Sequence, residues 1–270
     1  MTQNTFDINN LRLAVLIDAE NVPRNCIKSV MEEIAIYGTP TIKRIYGDWT
    51  SPMISGWKYS LLENAITPIQ QYSYTSGKNS SDSAMIIDAM DILYTEKTDG
   101  FVIVSSDSDF TRLAIRLREA GQRVIGIGEK KTPSAFIAAC DKFTYIEVIF
   151  ESSEETKNDQ DENGHSEHKP QAQQKGKRRQ PSHLHNTKVP DDIVQIIADS
   201  VADLAGDSGA VFMGELGNLI QKKKPDFDHR DFGYKSLSTM VKSIDRFETE
   251  FRQTTDPNIK HVFVRDKEAT

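Results

Sequence analysis

Between residues 11 and about 150, short apolar and β-branched runs alternate with longer segments of helical spacing. The runs are Leu11–Ile17, Thr41–Tyr46, Thr67–Tyr72, Phe101–Val104, Arg123–Ile127 and Tyr145–Phe150, and each is short enough to be a strand. Between them lie Arg24–Tyr37, Ser55–Ala65, Ser81–Thr95, Phe110–Ala120 and Pro133–Ala139, whose apolar residues recur at helical intervals. Gly38 and Gly121 follow two of these segments and are placed as helix stops. Strand–helix alternation at this spacing predicts an α/β domain, a central parallel sheet with helices on both faces.

From Glu151 to about Asn186 the pattern vanishes. Acidic residues dominate first, then a basic run, Lys175–Arg179. Such a stretch buries too little apolar surface to offset its ordering entropy, so residues 151–187 are expected to be a polar tether. Helical spacing returns with Ile193, Ile196, Ile197, Val201 and Leu204, then over Glu215–Lys223 and around Tyr234–Ser243. Two alternating stretches, Phe247–Arg252 and His261–Val264, predict a hairpin. Three helices and a hairpin outline a small winged-helix domain over 188–270, after a first domain at 1–150.

Composition changes this picture in three ways. The apolar share, 37%, is low for a globular chain and fits a diluted core. The net charge of −7 excludes general cationic attraction to nucleic acid, so phosphate contacts need local basic patches or a bridging cation. Cys26 and Cys140 are the only cysteines, too few for a zinc site or a disulfide framework, and are expected to be buried thiols in a reducing compartment. No run of about 18 apolar residues suggests a membrane span, and the expected setting is cytoplasmic.

The candidate chemistry lies at predicted strand ends. Asp18 closes the first strand, Asp107 and Asp109 follow the fourth, and Asp82 opens the third long helix. Ligands of open parallel sheets bind at the carboxyl ends of strands, where the strand order reverses. If the first and fourth strands are neighbours, these acids meet there. Gathered carboxylates repel one another and raise their pKa values, and a hard cation removes that repulsion. Such an ion also lowers the pKa of an attacking water beside a phosphate. No histidine lies near these aspartates in sequence, which favours metal-activated water over a histidine base. A plainer alternative stays open: Asp82, Asp107 and Asp109 each suit a helix N-cap. Asp88 and Asp91 lie off the face set by Asp82 and are expected to be surface or supporting groups.

Ile17–Asn21, Gly77–Asp88 and Val104–Phe110, in this order and spacing, resemble the NYN domain family, the LabA-like branch of the PIN-fold nucleases. The resemblance covers residues 11–150 and implies a PIN-like three-layer fold and a Mg2+- or Mn2+-dependent ribonuclease. Asp18, Asp82, Asp107 and Asp109 fall on the family's metal-binding, catalytic acids. Asn21, Lys78 and Ser106 are the accompanying candidates for substrate contact.

Val211–Gly217, Asp226–Asp228 and Phe232–Leu237 resemble the LOTUS, or OST-HTH, winged-helix family. That resemblance implies RNA binding or, in some members, protein docking; a homodimer stays open. Lys222, Lys223, Lys224, Arg230 and Lys235 are candidate phosphate contacts, and Tyr234 a candidate stacking face. Equally, the lysine run suits a helix C-terminus, and Tyr234 is placed by preference in the core. Gly126–Thr132 lacks the spacing of a phosphate loop and is expected only to turn the chain, with Lys130 and Lys131 near an RNA path. Trp49 and Trp57 are expected to cover the sheet rather than stack on bases.

Three functions compete: a metal-dependent ribonuclease, an RNA-binding regulatory protein whose acids hold metal weakly, and a Toprim-like phosphotransfer site. Toprim folds place an Asp-x-Asp after a strand but call for a glutamate at the first strand's end, where this chain has Asp18.

Overall fold

The computed structural model describes residues 11–72, 80–95, 97–152, 188–206, 209–253 and 260–269. Lys78, the basic run Lys175–Arg179 and the expected tether beyond residue 152 therefore lie outside the described residues. The chain forms two compact units.

Six strands build the sheet of the first unit: β1 (Arg12–Asp18), β2 (Thr39–Gly47), β3 (Thr67–Gln70), β4 (Gly100–Val104), β5 (Arg123–Gly128) and β6 (Lys142–Tyr145). They lie in the order β3-β2-β1-β4-β5-β6 with every pair parallel. The order reverses between β1 and β4, which pair from Leu13↔Gly100 to Ile17↔Val104. The helices are α1 (Ile27–Tyr37), α2 (Lys58–Asn64), α3 (Ser80–Thr95), α4 (Thr111–Glu119), α5 (Ser134–Ala139) and α6, residues 146–152.

Successive side chains of β1 part to opposite faces, as the period of a strand requires. Leu13, Val15 and Ile17 pack with Ile27, Val30 and Ile34 of α1, Leu61 of α2 and Ile146 and Ile149 of α6. Ala14 and Leu16 join Met85, Ala89 and Ile92 of α3, Leu113 and Leu117 of α4, and Phe136 of α5. These two cores and the sheet between them are the three layers expected of a PIN-like fold. Because both faces are covered, β1 and β4 read as continuous apolar runs.

Two glycines are required by close approach. A Cβ at Gly38 would lie 2.4 Å from the carbonyl oxygen of Leu11, where β2 begins beside β1. At Gly126 it would strike the Phe143 ring at 2.5 Å, so the glycines of β5 serve sheet packing. Gly121 does stop α4, at φ +82°, with its N–H donating to the Arg118 carbonyl.

The last strand needs correction. Tyr145–Phe150 was expected as a strand, but β6 ends at Tyr145 and the chain turns helical at 146. Ile146 and Ile149 stand one helical turn apart on the buried side, a spacing hidden inside a run of six residues.

The C-terminal part of the chain contains α7 (Asp191–Leu204), β7 (Val211–Phe212), α8 (Met213–Lys223), α9 (Leu237–Lys242), β8 (Phe247–Gln253) and β9 (Lys260–Asp266). Its antiparallel sheet has the order β7-β9-β8. The hairpin of β8 and β9 was expected; β7, two residues long, was not. Three helices with this sheet are the winged-helix outline.

Candidate metal centre

Each acid reaches the carboxyl edge of the sheet for a local reason. Asp18 ends β1, opposite Tyr46 in the register, with the Ala19 N–H donating to the Tyr46 carbonyl. It is 1% exposed. Its Oδ1 accepts the Glu20 N–H at 3.0 Å, and its Oδ2 accepts Asn21 Nδ2 at 2.7 Å and Ser105 Oγ at 3.0 Å. Asn21 thus fixes the orientation of Asp18.

Asp82 lies in the first turn of α3 and is 8% exposed. Positions 82, 85, 89 and 92 form the inward stripe of the helix, so Asp82 continues the row of Met85, Ala89 and Ile92 to the sheet edge. It stands inside the helix rather than at the N-cap position. Asp107, by contrast, is an N-cap: its side chain accepts the Asp109 N–H at 2.9 Å at the start of the short 3-10 helix Ser108–Phe110. The cap leaves its second oxygen for other use.

Carboxylate oxygens of Asp82, Asp107 and Asp109 lie within 4.8 Å of one another. Asp18 stands beside this trio rather than within it. Burial first, then the charges of Asp18, Asp107, Asp109 and Glu20, push the Asp82 carboxyl up to about 7. Asp82 therefore holds negative charge only at a cost, the condition under which a cation is attracted.

The donor set suits a hard divalent ion, since all three groups offer carboxylate oxygen. Asp82, Asp107 and Asp109 would hold such an ion, each offering one carboxylate oxygen.

Two residues missed in the sequence support the centre. Ser105, fully buried, donates to Asp18 and accepts the Asp107 N–H at 3.1 Å, joining the ends of β1 and β4. Glu20, exposed, accepts Ser81 Oγ at 3.1 Å and so reaches across to the start of α3. An acid two positions beyond a strand end was the only available signal for Glu20.

The other candidates separate. Ser106 is 7% exposed and its Oγ accepts the Glu129 N–H at 2.8 Å, tying the loops after β4 and β5. Asp88 pairs with Arg44 and accepts the Tyr46 hydroxyl, fastening α3 to β2, whereas Asp91 is exposed. Trp57 is in the core and Trp49 packs against it. Trp49 Nε1 also donates to the Ile69 carbonyl at 2.9 Å. Burial pushes both cysteine thiols up to about 12.

Among the C-terminal candidates, Lys222, Lys223 and Lys235 are exposed, while Lys224 pairs with Asp226 at 3.2 Å. Arg230 is held by Asp228 at 2.7 Å, so a phosphate would have to displace a largely buried carboxylate from it. Tyr234 is 8% exposed and its hydroxyl accepts Ser243 Oγ at 2.8 Å. It is a core residue with a satisfied hydroxyl rather than a stacking face.

The site is thus a carboxylate cluster at the topological switch point of a doubly covered parallel sheet. The NYN domain model matches residues 12–147, and the chain belongs to the NYN domain family, within the nuclease superfamily. An OST-HTH/LOTUS domain, of RNA-binding type, matches residues 186–259. A crystal structure of a protein of unknown function from Vibrio parahaemolyticus is 18% identical, with a TM-score of 0.45, over 54% of this chain and 96% of that one. The solution structure of an uncharacterized protein from Nitrosomonas europaea is 30% identical, with a TM-score of 0.28, over 37% of this chain and 95% of that one. No curated protein matches the chain.

Proposed function

We propose that the protein is a Mg2+- or Mn2+-dependent ribonuclease, with Asp82, Asp107 and Asp109 holding the ion and Asp18 supporting them. The observation that carries this reading is the convergence of the three carboxylates within 4.8 Å at the β1/β4 switch point of an NYN domain. When bound, the ion supplies charge neutralisation at a phosphate oxygen and a lowered pKa for an attacking water. The chain's own residues prepare the site. Ser105 and Asn21 hold Asp18 in one orientation, and the Asp107 cap fixes Asp109 relative to Asp107. Asp82, its carboxyl pushed up to about 7, would have to be deprotonated to hold the ion.

The second domain serves as the RNA handle in this reading, with Lys222, Lys223 and Lys235 facing solvent. Lys78 stays a candidate substrate contact. Among the described residues no helix is long and apolar enough to cross a membrane. The alternative, a catalytically weak RNA-binding regulator, predicts retained RNA binding without turnover. Incubation of purified protein with RNA and DNA oligonucleotides in Mn2+, Mg2+ or EDTA separates the two. Cleavage confined to the metal-containing samples, and lost in Asp107→Asn, supports the nuclease; binding without cleavage under every condition supports the regulator.

A further inference from the structure

Beside the acidic centre lies a cleft of about 820 Å3. It is built by the loop after β1, the loop after β2 and the short 3-10 helix Pro52–Trp57. Its inner wall is apolar, formed by Val22, Ile54 and Trp57, each under 10% exposed. Glu20 belongs to both places: it lines the cleft, and its carboxylate accepts Ser81 Oγ beside Asp82. The cleft therefore opens on the β2 side of the acids, at the same edge of the sheet.

Arg24 supplies the positive charge of a lining that also holds the carboxylates of Glu20 and Asp48. It lines the cleft, is exposed, and forms no ion pair among the described residues. Its guanidinium lies over Gly56, where an added Cβ would fall 1.7 Å from Nη1. The glycine leaves the space that the guanidinium fills. An apolar wall large enough for a heterocycle, with an unpaired cation at its edge, matches a base attached to a phosphate. A base stacked inside a duplex cannot enter such a cleft, whereas an unstacked one can.

We propose that this cleft seats one unpaired nucleotide of a single-stranded RNA next to the phosphate at the acidic centre, with Arg24 on the neighbouring phosphate. The inference rests on the ribonuclease reading for the identity of the polymer, but not on turnover. The test uses the full chain in EDTA and a short single-stranded RNA carrying photoreactive 4-thiouridine, with crosslinked peptides mapped by mass spectrometry. Crosslinks are expected within residues 19–25 or 48–57, and Arg24→Ala should reduce them about tenfold, as loss of a charge-assisted phosphate contact implies. Arg24→Lys should restore part of the yield. Gly56→Ala, which displaces the same guanidinium, should act like Arg24→Ala, and the double variant should be no worse than either single one.

Crosslinks absent from both segments, or undiminished in Arg24→Ala and Gly56→Ala, would overturn the proposal. A separate cleavage assay keeps the two ideas apart. Cleavage with unchanged KM in Arg24→Ala refutes the cleft and leaves the nuclease standing. Crosslinking in the cleft without cleavage under any metal does the reverse.

Discussion

Replacing Asp82 by Asn should make the metal-free protein more stable while abolishing its response to metal. The carboxyl rises from its ordinary 3.8 to about 7 in the folded chain. At about 1.36 kcal/mol per pKa unit, full ionisation costs the fold at most about 4 kcal/mol. Water reaches part of this carboxylate, so roughly half of that ceiling is a fairer figure. Loss of a negative charge from the first turn of α3 takes back up to about 1 kcal/mol through the helix dipole. The net expectation is a gain of about 1 kcal/mol at pH 8, or roughly 2–4 °C in Tm for a chain of this size. The sign with pH follows from linkage. Between about pH 4 and 7 the folded state binds the extra proton, so wild-type stability falls as pH rises through that window and levels off above it. The variant's advantage should therefore be small near pH 4 and complete above pH 7. Calorimetry of both proteins in EDTA across this range, then with millimolar Mn2+, reads all of it. A variant less stable than wild type at pH 8 in EDTA, or one stabilised by Mn2+ as much as wild type, would refute the strained-carboxylate account.

Other expectations come from the same geometry. Mn2+ affinity, measured calorimetrically, should rise with pH up to about 7 and then flatten, because binding below that pH must displace the Asp82 proton. Ser105→Ala removes the buried hydroxyl between Asp18 and Asp107 and should cost about 1–2 kcal/mol in denaturant unfolding, with weaker Mn2+ binding. Gly38→Ala places a methyl 2.4 Å from the Leu11 carbonyl oxygen and should cost about 1–3 kcal/mol with no effect on metal affinity. Lys222→Ala combined with Lys235→Ala should weaken RNA binding and flatten its salt dependence while leaving the Mn2+-induced shift in Tm unchanged.

The two-layered core was legible because β1 and β4 are continuous apolar runs, the pattern of strands covered on both faces. Asp82 was legible as the acid that opens the third long helix and through the family resemblance; the stripe it shares with Met85, Ala89 and Ile92 emerged from the structure. What stayed hidden was orientation. Nothing in the order of residues reveals that the Ser105 hydroxyl bridges two acids, or that Asp228 occupies Arg230. Strand β7 has two residues, too few to display a period, and the apolar run from Tyr145 to Phe150 fits strand and helix alike. The cleft beside Glu20 was invisible for a related reason: its walls come from three segments spread between Ala19 and Trp57. Asp107 shows that two roles often coincide in one residue, since it caps a 3-10 helix and still joins the carboxylate trio.

The central claim is metal-dependent cleavage of RNA at the trio. Its most direct test follows a 5′-labelled single-stranded RNA in Mn2+, Mg2+ or EDTA, with wild type beside an Asp82→Asn, Asp107→Asn double variant of verified fold. The account predicts cleavage by wild type only when metal is present and none by the double variant. Equal cleavage by the two proteins, or cleavage by wild type that EDTA leaves untouched, would contradict it.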